Sequence, residues 1–97
     1  MGTALSQLIP PSPFARGHRR DLTDVELFVG RFSFSSYREA VAFVVAVADL
    51  AEAQDHHPVV ELAYGQVTVW MWTHDEGGLS ERDVRLARSI ASVYDAR

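Results

Sequence analysis

The sequence predicts an α+β fold in which helices cover one face of an antiparallel sheet. Residues 25–34 and two later runs, residues 59–63 and 66–73, are rich in the β-branched and aromatic side chains that strands favour. Residues 36–54 and 81–94 instead repeat their apolar side chains at helical spacing. A strand or hairpin, a helix, a hairpin and a final helix in this order are typical of an antiparallel sheet covered on one face.

The first strand and the first helix have clear local signals. Phe28, Phe32 and Phe34 largely alternate with polar neighbours, as a half-buried strand requires, and Gly30 indicates a bulge or a close approach of another group. Ser36, followed three residues later by a glutamate, predicts a capping box that starts the helix. Pro58 cannot continue this helix, so we expect it to end near Gln54.

The second half of the chain predicts a tight hairpin and a last helix. Tyr64 and Gly65 separate two strand-like runs, which is typical of a short turn. In the second run, residues 67, 69, 71 and 73 share one face and residues 68, 70, 72 and 74 share the other. Ser80 and Asp83 form a second capping box, which predicts a helix from about residue 81 to residue 94.

Composition excludes several classes of chemistry. The 97 residues contain no cysteine, and all nine basic residues are arginine. Disulfides, thiolate metal sites, cysteine nucleophiles, lysine Schiff bases and the lysine of a phosphate-binding loop are therefore excluded. A formal net charge of −4 argues against direct binding of nucleic acid, which needs a basic surface.

Residues 1–20 differ in composition from the rest. They carry three of the four prolines and a cluster of arginines, so we expect a loosely ordered arm with at most a helical turn around residues 4–8, followed by one domain over residues 21–97. The longest apolar stretch, residues 40–48, is too short to span a bilayer, and no signal-peptide pattern is present. We expect a cytoplasmic protein without membrane contact.

Three of the four histidines stand at the ends of predicted elements, accompanied by acids. His56 and His57 follow the first helix, and His74 follows the last strand. Glu52, Asp55 and Asp75 are their acidic neighbours in the chain. Histidine transfers protons near neutral pH, so this set favours acid–base catalysis. A solvated turn is the simpler interpretation of the histidine pair; zinc is disfavoured because adjacent histidines in extended chain point apart.

The spacing of these residues resembles the signature of the pterin-4a-carbinolamine dehydratase family. Residues 52–58 read EAQDHHP, and Tyr64, His74 and Asp83 follow at intervals of five, nine and eight intervening residues. The similarity extends over about residues 32–90. The resemblance implies a four-stranded antiparallel sheet with helices on one face, assembled into homodimers or homotetramers. It also implies loss of water from a 4a-hydroxytetrahydropterin, the step that recycles tetrahydrobiopterin.

The resemblance assigns roles to individual residues. His56 and His74 would be the acid–base pair, and His57 would hold and orient the pterin. Glu52 would tune or orient His56. Substrate contacts are expected from Glu52, Asp55, Trp72, Thr73 and Asp75. Pro58, Tyr64 and Asp83 would be structural, and neither a metal nor a cofactor is implied, since the pterin is the substrate.

A non-catalytic member of the same family is the alternative. The proline-bearing, arginine-rich start replaces the opening helix that the family usually has, and Trp70 and Trp72 stand where smaller or polar residues are usual. The two tryptophans are either packing residues or a stacking surface for a flat ligand. Some proteins similar to pterin dehydratases bind or assemble other proteins, for example as a RuBisCO assembly factor.

Overall fold

A computed structural model describes residues 8–97, and its sheet has four antiparallel strands. The strands are β1 (Ala15–Gly17), β2 (Leu27–Ser33), β3 (Val59–Ala63) and β4 (Gln66–Met71), in the spatial order β1-β2-β4-β3. Two helices, α1 (Tyr37–Gln54) and α2 (Glu81–Asp95), complete the fold. The α+β class with a four-stranded antiparallel sheet and helices packed on one face is confirmed.

The central strands carry the core on one face. The predicted hairpin joins β3 to β4 through a two-residue turn, and Gly65 takes a φ of 76° there, which glycine adopts without strain. On β4, Val67, Val69 and Met71 are at most 1% exposed and belong to the hydrophobic core, whereas Thr68 and Trp70 are also buried but lie outside that core. The three core side chains face the buried side chains of both helices, which include Phe43, Val47, Leu86 and Ile90.

Both helices begin at the predicted serines. The Ser80 hydroxyl accepts from the backbone of Arg82, and the Asp83 carboxylate accepts from the Ser80 backbone N–H at 2.9 Å. Ser36 caps α1 by accepting from the Glu39 backbone N–H, while the Glu39 carboxylate accepts from the hydroxyls of Ser36 and Ser35. Within residues 8–97, no helix is long and apolar enough to cross a membrane.

The N-terminal part of the chain is packed against the sheet from Leu8 onward. Leu8 and Phe14 belong to the core, and β1 pairs with the outer edge of β2. The Phe14 ring meets Phe32 edge to face at 5.6 Å. This differs from the loosely ordered arm expected over residues 1–20, because burial of two apolar side chains and strand pairing order the segment. Residues 1–7, with most of the helical turn expected at 4–8, lie outside the described residues.

Candidate functional site

The end of α1 separates the two consecutive histidines. Asp55 closes the helix in the left-handed conformation, with φ 50° and ψ 46°, and the His56 backbone N–H returns to the Ala51 carbonyl at 3.0 Å. Beyond this reversal the side chains diverge. His56 is 7% exposed, whereas the His57 side chain is 58% exposed.

His56 contacts a buried carboxylate. Its Nε2 lies 2.7 Å from Oδ1 of Asp83, which is 0% exposed. The other oxygen, Oδ2, accepts from the Thr73 hydroxyl at 2.7 Å and from the Ser80 backbone N–H at 2.9 Å. Thr73 and Ser80 also share a hydrogen bond of 2.6 Å between their hydroxyls. Because a buried carboxylate is costly unless donors surround it, these contacts hold the end of α1, the chain after β4 and the start of α2 together.

His57 pairs with Glu52. Its Nε2 contacts the Glu52 carboxylate, so Glu52 faces His57 and not His56, the residue that it was expected to tune or orient. Because the chain reverses at Asp55, the His57 side chain returns towards the last turn of α1. There it meets the Glu52 side chain on the protein surface. The pair borders a hollow of about 450 Å³ between α1 and β3. The other lining residues are apolar: Val44, Val47, Ala48, Ala51, Pro58 and Val60.

His74 lies on a 3₁₀ turn over His74–Glu76, directly after the buried Thr73. Thr73 and Gly78 pair across the base of this loop, with backbone hydrogen bonds of 2.6 and 3.1 Å. The His74 side chain is exposed and has no hydrogen bond to any other described residue. With Trp72 and residues 22–25 it lines a second hollow of about 380 Å³.

Arg82 bridges the two histidine-bearing segments, a role that the sequence did not indicate. It donates through Nη2 to the Asp55 carbonyl at 2.7 Å, and its Nη1 lies 3.7 Å from the Asp75 carboxylate. The structure thus connects the turn after α1 to the turn with His74. His56 and Thr73 meet on Asp83, while His57 and His74 border separate hollows.

The remaining residues that were predicted to contact the substrate differ in their solvent exposure. Asp55 and Asp75 are exposed, and Trp72 is half-buried at the hollow beside His74. Thr73 is 1% exposed, and its hydroxyl is engaged by Asp83 and Ser80. Trp70 lies on the sheet face opposite the helices. The guanidinium carbon of Arg19 stacks over its ring, 4.3 Å from the ring centre. Among residues 8–97, no three histidine, aspartate or glutamate side chains are grouped so that they could hold a metal ion.

Comparison with known proteins gives a family for this fold and site. The family described as pterin 4 alpha carbinolamine dehydratase matches residues 21–93, a segment that includes His56, His57, His74 and Asp83. A protein of Thermomicrobium roseum named "Putative pterin-4-alpha-carbinolamine dehydratase" is 43% identical over 68 residues, which are 70% of this chain and 73% of that protein.

Two solved structures share the fold. One, from Brucella melitensis, is described as a transcriptional coactivator/pterin dehydratase; it is 34% identical, has a TM-score of 0.69, and the match covers 73% of this chain and 76% of that one. The other is described as a pterin dehydratase-like protein that is a RuBisCO assembly factor in the alpha-carboxysome. It is 21% identical with a TM-score of 0.67, and the match covers 84% of this chain and 88% of that one.

The antiparallel sheet with two helices on one face, which both solved structures share, is a pterin dehydratase fold. The match over residues 21–93 makes the assignment specific: the chain belongs to the pterin 4 alpha carbinolamine dehydratase family.

Proposed function

We propose that this protein removes water from a 4a-hydroxytetrahydropterin, giving the quinonoid dihydropterin, as a hydro-lyase of tetrahydrobiopterin recycling. Membership of the family supports the reaction. The observation that carries the proposal is the pairing of both consecutive histidines with carboxylates, His56 with Asp83 and His57 with Glu52. A carboxylate orients an imidazole and stabilises its charged form, which suits proton transfer.

The reaction needs one proton delivered and one removed. The C4a–O bond breaks as the hydroxyl takes a proton and leaves as water, and N5 loses its proton as the C4a=N5 double bond forms. His56 and His74 act as the acid–base pair, and His57, held by Glu52, orients the pterin. Asp55, Trp72 and Asp75 provide the remaining contacts, and Thr73, which is buried, supports the site through its hydrogen bond to Asp83. Protonation is sufficient to release water, so the proposal needs the pterin as substrate and no bound cofactor.

The purified protein tests this proposal directly. We expect it to accelerate 4a-hydroxytetrahydropterin dehydration above the rate in buffer, and we expect His74→Ala to lose about 10²- to 10⁴-fold in rate, the usual contribution of an acid–base group. His18→Ala is the matched control, because His18 is exposed and precedes the family match. A wild-type rate equal to that in buffer, without pterin binding, would overturn the proposal in favour of a binding or assembly module.

We further propose that the protein works as a homodimer or homotetramer. Tyr37, Val41 and Val45 recur every four residues along α1 and are 50%, 37% and 55% exposed. This spacing forms one apolar stripe on the helix, and a second copy of the same helix would bury it.

A further inference from the structure

We infer that Asp83 sets which nitrogen of His56 accepts a proton, so that His56 is the base and His74 the acid of the proposed dehydration. The expected effect on the reaction rate rests on the proposed function. The expected position of the hydrogen on the His56 ring does not. The sequence identifies Asp83 as a helix-capping residue, and it caps α2 in the structure. Its carboxylate also contacts His56, which lies 27 positions earlier in the chain.

The hydrogen bonds around Asp83 determine where the proton on His56 lies. The Ser80 backbone N–H and the Thr73 hydroxyl donate to Oδ2, so the carboxylate acts as an acceptor, as a deprotonated group does. With Asp83 ionised, Oδ1 can only accept, so Nε2 of His56, 2.7 Å away, carries the hydrogen and donates it. In the neutral ring, Nδ1 is then the unprotonated nitrogen.

Nδ1 is free to take a proton. Within residues 8–97 it has no hydrogen-bond partner, whereas Nε2 is held by Asp83. When Nδ1 receives the N5 proton of the pterin, the ring becomes positive while its other side faces the buried carboxylate.

The contrast with His74 assigns the acid. His74 is exposed and is paired with no carboxylate of the described residues. As an imidazolium it delivers a proton to the leaving hydroxyl, which departs as water, and it regains a proton from solvent. One proton goes to His56 and one leaves His74, so the two steps balance. Asp83 contacts no reacting atom and is a positioning residue.

Asp83→Asn is a sharp test because the surroundings fix the orientation of the new amide. The Ser80 backbone N–H can only donate, so the asparagine carbonyl must occupy the place of Oδ2. The amide NH₂ then faces His56, whose Nε2 must accept. We expect the neutral ring to move its hydrogen from Nε2 to Nδ1, and kcat to fall about 100-fold or more while KM changes far less.

Imidazole ¹⁵N NMR shifts of His56 report this change without substrate. Spectra are recorded over a pH series that extends well above the ordinary histidine pKa, so that the neutral ring is observed. Ser80→Ala is the control: it weakens the start of α2 but keeps the backbone donor to Asp83, so the Nε2–H form and the rate should persist. If Asp83→Asn does not fold, the wild-type spectrum still decides, because a neutral ring with its hydrogen on Nδ1 would overturn the inference.

The kinetic result separates the two proposals. Wild-type turnover together with an unchanged kcat in Asp83→Asn would overturn the inference and leave the dehydratase proposal standing. Absence of wild-type turnover, with the Nε2–H form present, would overturn the dehydratase proposal and retain the Asp83–His56 contact as a structural one.

Discussion

Gly30 is a position where one added methyl group would disturb the core. It lies on the inward face of β2, where a Cβ atom would come within 2.8 Å of two ring carbons of Phe14. Because Phe14 is 5% exposed and packs against Phe32, its ring has little room to move away. We expect Gly30→Ala to lower the free energy of unfolding by about 1–3 kcal/mol, as overpacking does. Urea denaturation would show a lower midpoint at an unchanged slope.

Gly17 is the matched control on the neighbouring strand. A Cβ atom there would lie 3.5 Å from a methyl group of Val29, which is an ordinary contact. We expect Gly17→Ala to change the free energy of unfolding by no more than about 0.5 kcal/mol. Equal losses in the two variants would contradict the crowding by Phe14 and point to a general intolerance of alanine in these strands.

Single residues show what sequence patterns can and cannot predict. Chemistry and spacing singled out the histidines at 56, 57 and 74 as candidates for acid–base catalysis and pterin binding, which stays a prediction, and the glycine at 30 indicated a close approach, which Phe14 makes. The partners were not recognisable. Asp83 already satisfied a local capping pattern, and its contact with His56 spans 27 positions. Glu52 precedes both histidines, and only the reversal at Asp55 determines which one it meets.

At the first turn of α1, the Glu39 carboxylate accepts hydrogen bonds from two serine hydroxyls. Hydrogen bonds from the Ser35 hydroxyl, and then from Ser36, lower the pKa of the Glu39 carboxyl below its ordinary 4.5. A lowered pKa in the folded state contributes stability above about pH 4.5, and this contribution is lost as the pH falls through the lower folded value. We therefore expect the difference in unfolding free energy between wild type and Glu39→Gln to shrink at acid pH, which urea midpoints over a pH series would measure.

A second variant separates this effect from loss of one negative charge on the helix. Asp49 is exposed further along α1, and Asp49→Asn removes the same charge away from the cap. A wild-type to Glu39→Gln difference that stays constant from neutral to acid pH would show that the contacts with the two serines do not depend on ionisation.

Elements with strong local signals were predicted well, and β1 was not. The two helices began at the serines that the capping patterns indicated, and the β3–β4 hairpin turned at Tyr64 and Gly65. β1 has only three residues, in a segment rich in proline and arginine, and no pattern of period two extends through it. Its pairing with β2 comes from tertiary contacts, above all burial of Phe14, which local sequence does not encode.

At the scale of the whole molecule, the exposed stripe on α1 gives a test of assembly. Val45 is the most exposed member of that stripe, at 55%. We expect Val45→Asp to shift the proposed oligomer towards monomers, because a charge in an apolar interface is left without water or a partner. Light scattering after size-exclusion chromatography measures the mass directly.

Ser92→Asp places the same carboxylate on an exposed position of α2 and is expected to leave the mass unchanged. A monomeric wild type would refute the oligomer proposal, and an oligomer that survives Val45→Asp would place the interface on another surface.

The contact between Phe14 and Gly30 also bears on where this protein can be divided. The family match begins at residue 21, so Phe14 lies before it and Gly30 within it. A fragment that begins at residue 21 would lose the edge strand β1 and the Phe14 ring, and the space that this ring fills next to Gly30 would be empty. Chimeras that join the family segment of this chain to the N-terminus of a relative must therefore supply an aromatic side chain that fills this space, or a larger side chain at position 30.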